Sequence, residues 1–239
     1  MIVDDKYKNS VVNFEAIKYR TFNDIKVPSK FRALLYDKNH SVDCFVSSQK
    51  DNEDICISVL NKNFEELGMG RFNVDENTLC ASSINSFSGL KGVGSILHLS
   101  QIISMLENNI DKIKLFSLGN AIPFHSKFMF KSAINSRIEL VDFLVEEILL
   151  KIKDNPKYSY IVGNIEQWFR KKNLSDSEKI LQGNALIDDY LKIASRQKDS
   201  DKTDIISDIA MVLERKTVLE QKEYFNPLLK KFGIDYQIR

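Results

Sequence analysis

Cysteine is scarce in this chain of 239 residues, and its pattern excludes two classes of protein. The three cysteines are an odd and scattered set without a Cys-x-x-Cys pair: Cys44, Cys56 and Cys80. Such a set does not form the disulfide framework of a small secreted domain or a cysteine-based zinc site. We therefore expect reduced, buried thiols in a protein that folds in a reducing compartment.

Histidine is equally scarce, and an excess of charge is missing altogether. The three histidines lie far apart, at positions 40, 98 and 125, without metal-ligand spacing, so we expect no metal. Thirty-four basic residues oppose 33 acidic ones, for a net charge of +1. Bulk charge therefore does not favour binding to nucleic acid or to an anionic membrane, and neither is expected as a partner.

Long apolar runs are also missing. No run reaches the roughly 18 residues that a membrane-spanning helix needs. Residues 1–13 are polar and lack the apolar core of a secretion signal. We therefore expect a cytoplasmic protein, although export into another cell by a machinery that reads no signal stays open.

The first half of the chain has the pattern of β-strands. Segments rich in β-branched and aromatic residues, separated by polar turns, lie at 42–47, 54–60, 70–74 and 79–85. Their regular spacing predicts an antiparallel meander, preceded by a strand at 14–19 and a helix at 29–36. The fourth strand then leads through a glycine loop to a helix at 95–108. A further strand at 113–117 can return parallel to it by a right-handed crossover.

The second half of the chain is different, because its apolar residues follow helical spacing. Helices are predicted at 138–149, 165–169, 176–196 and 203–224, with a polar linker at 197–202. Ser175 and Glu178 form a capping box at the start of the third of these helices. We therefore predict a first domain at 1–132 and a helical extension or module at 133–239. The module should form at least three helices and contribute recognition or oligomer contacts.

Two glycines, Gly92 and Gly94, stand between the predicted fourth strand and the helix that follows it. Glycine allows a tight turn without Cβ clashes. The amide groups of such a loop point outward at a helix N-terminus, where the helix dipole favours an anion. A phosphate or pyrophosphate is the ligand that this arrangement favours, and a bare strand-to-helix turn is the plain alternative.

Two segments carry a resemblance to a known family. Residues 89–94 read Gly-Leu-Lys-Gly-Val-Gly, and residues 121–130 read Ala-Ile-Pro-Phe-His-Ser-Lys-Phe-Met-Phe. They resemble the Arg/Gln-x-x-Gly-x-Gly/Ala loop and the Asn-x-x-Ala-x-x-Phe-Tyr-x-Lys-x-Gly-Phe segment of the GNAT family, the acetyl-CoA-dependent N-acetyltransferases. The resemblance implies an α/β (α+β) fold with a mixed central sheet and flanking helices. It also implies acetyl-CoA as co-substrate.

The resemblance further implies roles for individual residues. In this family the loop amides hold the CoA pyrophosphate. The cofactor-binding residues expected here are Ile84, Leu90, Lys91, Gly92, Val93, Gly94, Ser95 and Asn120. His125 stands where the family often has a tyrosine near the thioester sulfur. There it would protonate the departing thiolate or act as a base on the acceptor, unless it is merely a helix-surface histidine.

The sequence does not identify a general base, since the strand at 79–85 contains no carboxylate. Ser83, with its neighbour Ser82, could hold an acceptor or a water that relays protons. A nucleophilic Cys80 with His98 or His125 is an alternative, but a cysteine in an apolar strand is more often a packing residue.

Two functions from different classes remain open. One is an acyltransferase that moves an acetyl (acyl) group from CoA to an amine or hydroxyl of a small molecule or a protein. The other is a non-catalytic interaction protein with a degenerate GNAT-like fold and a partner-binding helical region. The retained Gly-x-Gly favours the first, whereas Gly89, His125 and Met129 depart from the family pattern and favour the second.

Overall fold

The fold is taken from a computed structural model of the chain. It describes residues 16–37, 40–134, 138–171, 173–194 and 208–239. The predicted polar leader at 1–13 and the predicted linker at 197–202 lie outside these residues.

The first half of the chain contains the strands predicted at 42–47, 54–60, 70–74, 79–85 and 113–117. The elements of this half are β1 Lys18–Phe22, β2 Ile25–Ser29, β3 Phe31–Asp37, β4 His40–Asp51, β5 Asp54–Leu60, β6 Glu66–Asp75, β7 Thr78–Ser86, α1 Val93–Glu107 and β8 Lys112–Ser117. The strand predicted at 14–19 overlaps β1 only at residues 18–19. The second half is mainly helical. Its elements are α2 Ile122–Lys127, β9 Lys131–Ser132, α3 Ile138–Ile152, α4 Ser159–Arg170, α5 Asp176–Ala194, β10 Ile209–Glu214, α6 Arg215–Glu220 and α7 Lys222–Lys231. Two short 3-10 turns lie at Gly119–Ala121 and Pro156–Tyr158.

The strands form a two-stranded hairpin and one large mixed sheet. β1 pairs with β2, and the large sheet has the order β3-β4-β5-β6-β7-β8-β10-β9. β3 pairs antiparallel with β4 and β4 with β5, whereas β7 and β8 are parallel and are connected through α1. The predicted mixed α/β fold, with its meander, glycine loop, helix and parallel return strand, is therefore confirmed.

Two of the predicted helices are wrong. Residues 29–36 were expected to be helical after Pro28, but they form most of β3, in which Phe31, Ala33 and Leu35 are buried in alternation. Part of the helix expected at 203–224 is also a strand, because residues 209–214 form β10 between β8 and β9. Both segments show the two-residue burial period of a sheet. Residues 203–207 of that prediction lie outside the described residues.

The chain divides into two compact units. The first comprises Met1–Gly70, Ile84–Ser104 and Gln221–Arg239, and the second comprises Arg71–Ser83 and Met105–Glu220. These units are interleaved in sequence, and the domain boundary expected between residues 132 and 133 stays a prediction about which parts fold on their own.

In the first unit, a strand face and a helix supply the core. The inward side chains of β3, β4 and β5 are buried, as are Ile96, Leu97 and Leu99 of α1. The end of the chain belongs to the same unit and buries Phe225 and Phe232. Burial of each such side chain contributes about 1.5–3 kcal/mol relative to exposure.

In the second unit, helices α3, α4 and α5 pack around a glycine. A methyl group at Gly183 of α5 would overlap Val141 of α3 and approach Cζ2 of Trp168 in α4 to 3.3 Å. The predicted capping box of α5 is present: Ser175 Oγ accepts from the Glu178 amide at 3.3 Å, and the Ser175 amide donates to the Glu178 carboxylate at 2.9 Å. Among the residues that the structure describes, three helices follow residue 132 in this unit before β10, so the expectation of at least three is confirmed.

In the part of the chain that the structure describes, no helix has both the length and the apolar character needed to cross a bilayer.

Candidate functional site

The glycine loop adopts a conformation that requires glycine at one position. Gly92 has a φ of 110°, which L side chains rarely adopt. A methyl group there would lie 2.6 Å from Cε1 of Phe232 and 3.5 Å from Cδ2 of Leu35. The chain's own packing therefore explains this glycine, whether or not a ligand approaches it.

A backbone bridge to β3 fixes the loop one residue earlier. Lys91 and Tyr36 exchange two backbone hydrogen bonds, each 3.1 Å long. The amide of Lys91 is thus already paired, which removes it from the set of loop amides available to a pyrophosphate. Its side chain is exposed and can still bring a positive charge to an anion.

The end of the chain secures the same region. The Leu34 amide donates to the Phe232 carbonyl at 2.8 Å, and the Tyr36 hydroxyl donates to the Lys231 carbonyl. The rings of Tyr36 and Phe232 meet edge to face, with centroids 6.1 Å apart. Residues about 140 positions downstream therefore help to hold the loop.

The amides that start α1 are the groups left for an anion. The first helical bond of this turn runs from the Ile96 amide to the Gly92 carbonyl at 2.9 Å. Within the described residues, the amides of Val93, Gly94 and Ser95 donate to no backbone carbonyl, as expected for a first turn. No acidic residue occupies this turn, so no carboxylate within it offsets the positive end of the helix dipole.

Other cofactor-binding residues predicted near the loop are in place but lack a defined role. Leu90 is half-buried just before the Lys91 bridge, and Ile84 is half-buried near the end of β7. Gly89 has open space where a Cβ would lie, so the loop itself does not require glycine there. Asn120 is in the 3-10 turn Gly119–Ala121, and its side chain lies outside what the structure describes.

In the second unit, the parallel strands pair over only part of their length. The register runs from Thr78↔Lys112 to Ala81↔Leu115 and ends there. Ser83 lies two residues beyond the last pair, half-buried, whereas β8 continues to Ser117 on its β10 side. Ser83 is therefore in the part of β7 where pairing with β8 has ended.

His125 is buried in α2 among aromatic rings, and only 8% of it is exposed. Its ring meets Phe124 at 5.3 Å and Phe130 at 6.0 Å between centroids, both edge to face. Burial lowers the pKa of His125 from 6.5 to about 4, so the imidazole is neutral at pH 7. It is thus not an exposed surface histidine, and its resting form is the base and not the acid.

The other candidates, His98 and Cys80, are buried and half-buried respectively, whereas His40 at the start of β4 is exposed. His98 is buried in α1, with Nδ1 3.3 Å from Oε1 of Gln101. Cys80 is half-buried in β7, and burial raises the pKa of the Cys44 thiol to about 12, which keeps it protonated. Among the described residues, no group of three or more histidine, cysteine or acidic side chains is arranged to hold a metal ion.

The predicted site residues fall into two groups. The glycine loop and Ile84 belong to the first unit, whereas Ser83 and His125 belong to the second. The residues that sequence reasoning missed are those that hold each group in place. Phe232 and Tyr36 secure the loop, and Asn184 and Asp188 of α5 bind the segment after His125. No local pattern marks them, because their partners are distant in sequence.

No protein-family model matches this sequence, and no curated protein sequence matches it. Solved structures do match, and several are GNAT-family acetyltransferases. A GNAT acetyltransferase from Staphylococcus aureus Mu50 is 20% identical, with a TM-score of 0.32, and the match covers 34% of this chain and 56% of that one. The PaiA N-acetyltransferase from Thermoplasma acidophilum, in complex with coenzyme A, is 14% identical (TM-score 0.30; 36% and 55% covered).

A third structure is matched over more of this chain. It is a GNAT-family acetyltransferase from Elizabethkingia anophelis with acetyl-CoA bound, 11% identical, with a TM-score of 0.35 and coverage of 68% and 76%. Acetyltransferases of the family that the two motifs resemble are thus among the solved structures that this chain matches. The chain spans little more than half the length of the first two, and TM-scores this low carry no information on activity or substrate.

Proposed function

We propose that this protein is an acyltransferase that moves an acetyl (acyl) group from CoA to an amine or hydroxyl of a small molecule or a protein. The observation that carries the proposal is the start of α1. Its first-turn amides have no backbone acceptor in the described residues, no acid competes with an anion there, and a Gly-x-Gly loop leads into it. The amides of Val93, Gly94 and Ser95 would hold the pyrophosphate, with the Lys91 side chain adding charge.

The reaction joins the acceptor nitrogen or oxygen to the acyl carbon and breaks the carbon–sulfur bond of the thioester. One proton leaves the acceptor, and one proton is needed by the departing thiolate. In the proposal, neutral His125 takes the acceptor's proton directly or through water, and the imidazolium then gives it to the sulfur. Because burial lowers the pKa of His125 to about 4, this imidazolium is a strong proton donor, although the imidazole is a weak base. Ser83 would orient the acceptor or a relaying water.

The phosphate site is tested by titrating acetyl-CoA calorimetrically into the parent, Gly94→Asp and Gly94→Asn. Gly94 lies inside α1, and an acid in the first turn suits the helix dipole, so Gly94→Asp should stay folded. A carboxylate about 4 Å from a phosphate charge costs about 4 kcal/mol at an effective dielectric near 20, which weakens binding by about three orders of magnitude.

Gly94→Asn is the matched control, because it has the same size as the aspartate without its charge. It should bind acetyl-CoA much more tightly than Gly94→Asp does. Equal affinities for parent and Gly94→Asp would remove the pyrophosphate site from α1. The acceptor is then sought by mass spectrometry of candidate proteins and amines after incubation with labelled acetyl-CoA.

A second function, a non-catalytic interaction protein, is favoured by a separate observation. Helix α3 exposes Phe143 and Leu150, seven residues apart and hence on one face, and α4 exposes Tyr160. If this face binds a partner or a second copy of the chain, the double variant Phe143→Ser/Leu150→Ser should lose that binding. Sedimentation would then give a lower mass, or the partner would no longer be captured. An unchanged sedimentation profile together with acetyl-CoA turnover would leave the enzyme as the better description.

A further inference from the structure

An open cavity of about 620 Å³ lies in the first unit, at the edge strand β3, and includes none of the glycine loop. Its walls include Phe45 of β4, Leu60 at the end of β5, and Phe64 from the turn that follows. Arg32, Phe45 and Leu60 are direct partners across β3, β4 and β5. This volume is in the range that holds a small organic ligand.

Two exposed aromatic rings face each other beside this cavity. Phe45 and Phe64 are stacked, with an interplanar angle of 22° and centroids 6.3 Å apart. They are 39% and 75% exposed, which is unusual for a pair of phenylalanines on one surface. The pair offers an aromatic face to a further ring.

The backbone holds Phe64 in this exposed position against its own preference. Its φ is 64°, a left-handed conformation that is rare for a bulky residue. Asn61 maintains the turn: its carbonyl accepts from the Phe64 amide at 3.0 Å, and its Oδ1 accepts from the Asn63 and Glu65 amides at 2.8 and 3.0 Å. Its Nδ2 donates to the Glu65 carboxylate at 2.6 Å. The turn is thus built to present this ring to solvent.

The charges at the rim of the cavity do not cancel. Lys30, Arg32 and Asp43 line it, and Arg32 binds Oδ1 of Asp43 through Nε at 2.7 Å and Nη2 at 2.6 Å. The aspartate is therefore satisfied by the arginine, and the ammonium of Lys30 is left as one positive charge. A ligand with a single negative charge would complement this rim.

A peptide strand added along β3 is a poor alternative occupant. The outward amides of Leu34 and Tyr36 already bond to the carbonyls of Phe232 and Lys91. Strand addition needs a free edge, so the edge of β3 is closed over that stretch. A compact molecule that enters the cavity does not need a free strand edge.

We propose that this cavity binds a small aromatic carboxylate. The aromatic ring stacks beside Phe64 and Phe45, the apolar part covers Leu60, and the carboxylate meets Lys30 and the outer edge of the Arg32 guanidinium. The site is independent of the proposed acyl transfer, because its lining residues take no part in the glycine loop or in the His125 segment.

The test titrates the full chain with 3-phenylpropanoate, followed by ¹⁵N chemical-shift changes or calorimetry. Two matched probes separate the two contributions: cyclohexanepropanoate keeps the charge without the aromatic ring, and 3-phenylpropanol keeps the ring without the charge. A ligand of this size should bind with a dissociation constant on the order of 1 mM. Each matched probe should bind at least about threefold more weakly than 3-phenylpropanoate does. Added salt should weaken the binding of the two carboxylates but not that of the alcohol.

Variants of the two key residues complete the test. Phe64→Gly should lose about three- to tenfold in affinity for 3-phenylpropanoate while raising the melting temperature, because glycine tolerates the left-handed backbone. Lys30→Gln should bind 3-phenylpropanoate about two- to fivefold more weakly than the parent does, and its affinity should no longer depend on salt. Phe116→Ala, which removes an exposed phenylalanine from β8 in the second unit, is the control and should bind as the parent does.

Three results would overturn the proposal. The first is that Phe64→Gly binds 3-phenylpropanoate as tightly as the parent does, and the second is that all three probes bind with equal affinity. The third is that the ¹⁵N chemical shifts of residues 30–32, 43–47 and 60–64 do not change on titration. Acetyl-CoA binding is measured in the same variants. Phe64→Gly should still bind acetyl-CoA, so the two proposals can fail independently of each other.

Discussion

The glycine loop at 89–95 and the segment at 121–134 resemble two parts of the same family pattern, but they are held in place by different means. Gly92 and Lys91 are held by Phe232 and Tyr36, through close packing and backbone bonds between uncharged groups. The later segment is held by side chains of α5, among them an aspartate whose own protonation depends on pH.

The difference is clearest at β9. The amide of Ser132 donates to Asp188 Oδ1 at 2.7 Å, and Asn184 accepts from Ser132 Oγ at 2.6 Å and exchanges bonds with the backbone of Ile134. Burial, more than the nearby Asp189, raises the pKa of Asp188 to about 6, against the opposing effects of the Ser132 amide and Lys131. The loop should therefore tolerate acid, whereas the later segment contains one group that responds to acid, His125, and is bound by a second, Asp188 of α5.

The largest effect is expected in the loop. Gly92→Ala places a methyl group 2.6 Å from the ring of Phe232 and forces alanine to a φ of 110°. Strain and overpacking together should lower the free energy of unfolding by about 3–4 kcal/mol in urea denaturation.

A double-mutant cycle with Phe232→Leu separates the two causes. The smaller side chain should recover the part of the loss that comes from overpacking, and leave the part that comes from the backbone angle. Strict additivity of the two substitutions would show that Phe232 does not hold the loop at Gly92.

The next effect concerns chemistry in the later segment. His125→Leu keeps an apolar side chain among Phe124 and Phe130 but removes the nitrogens. If His125 transfers the proton, turnover should fall about 100-fold while acetyl-CoA affinity changes little. Because burial lowers its pKa to about 4, the parent's rate should decline on the acid side near pH 4 and not near neutrality. Parental turnover in His125→Leu would return His125 to a packing role.

The same histidine and Asp188 should respond to pH with opposite signs. The folded pKa of His125 is lowered, so its stabilising contribution is present above pH 6.5 and lost as pH falls towards 4. The folded pKa of Asp188 is raised, so its contribution is present below pH 3.8 and lost as pH rises through 6. Asp188→Asn removes only the second dependence.

Asp188→Asn should therefore match the parent near pH 4 and be about 2 kcal/mol more stable at pH 7, since the amide oxygen can still accept from the Ser132 amide. Unfolding free energies measured from pH 4 to 7 test this. A variant less stable than the parent at pH 7 would mean that the charged carboxylate is needed to hold β9.

The smallest effect is expected at the start of α5, the helix whose side chains bind the later segment. Ser175→Ala removes the hydroxyl that caps this helix and should cost about 1 kcal/mol in thermal or urea unfolding. The control is Ser177→Ala at the second residue of the helix, which should change stability by less than half as much. Equal losses in the two variants would show that the cap itself contributes nothing.

Several elements were predictable because their signals are local. β5 occupies 54–60 as expected, α1 begins two residues before its predicted start, and the capping box of α5 forms as predicted. Alternation, helical periodicity and the cap each depend on residues a few positions apart, which the sequence displays directly.

Other elements were not predictable because their partners lie far along the chain. Residues 29–36 and 209–214 contain apolar residues that fit more than one pattern, and pairing with β4 and β8 makes them strands. Secondary-structure preference at such positions is weaker than the bonds that a sheet supplies. The same holds for the candidate site, where the glycine pattern marked a loop without revealing that Phe232 packs against it.

The sequence by itself determined the alternation of strand and helix, the position of the turn before α1, and the residue types available to an anion there. Only the tertiary structure decided that the Lys91 amide is paired and that His125 is neutral. It also decided that Phe64 stays exposed beside Phe45. The physical reason is the same in each case: hydrogen bonding, desolvation and ring packing depend on which distant residues arrive, and no short pattern encodes that.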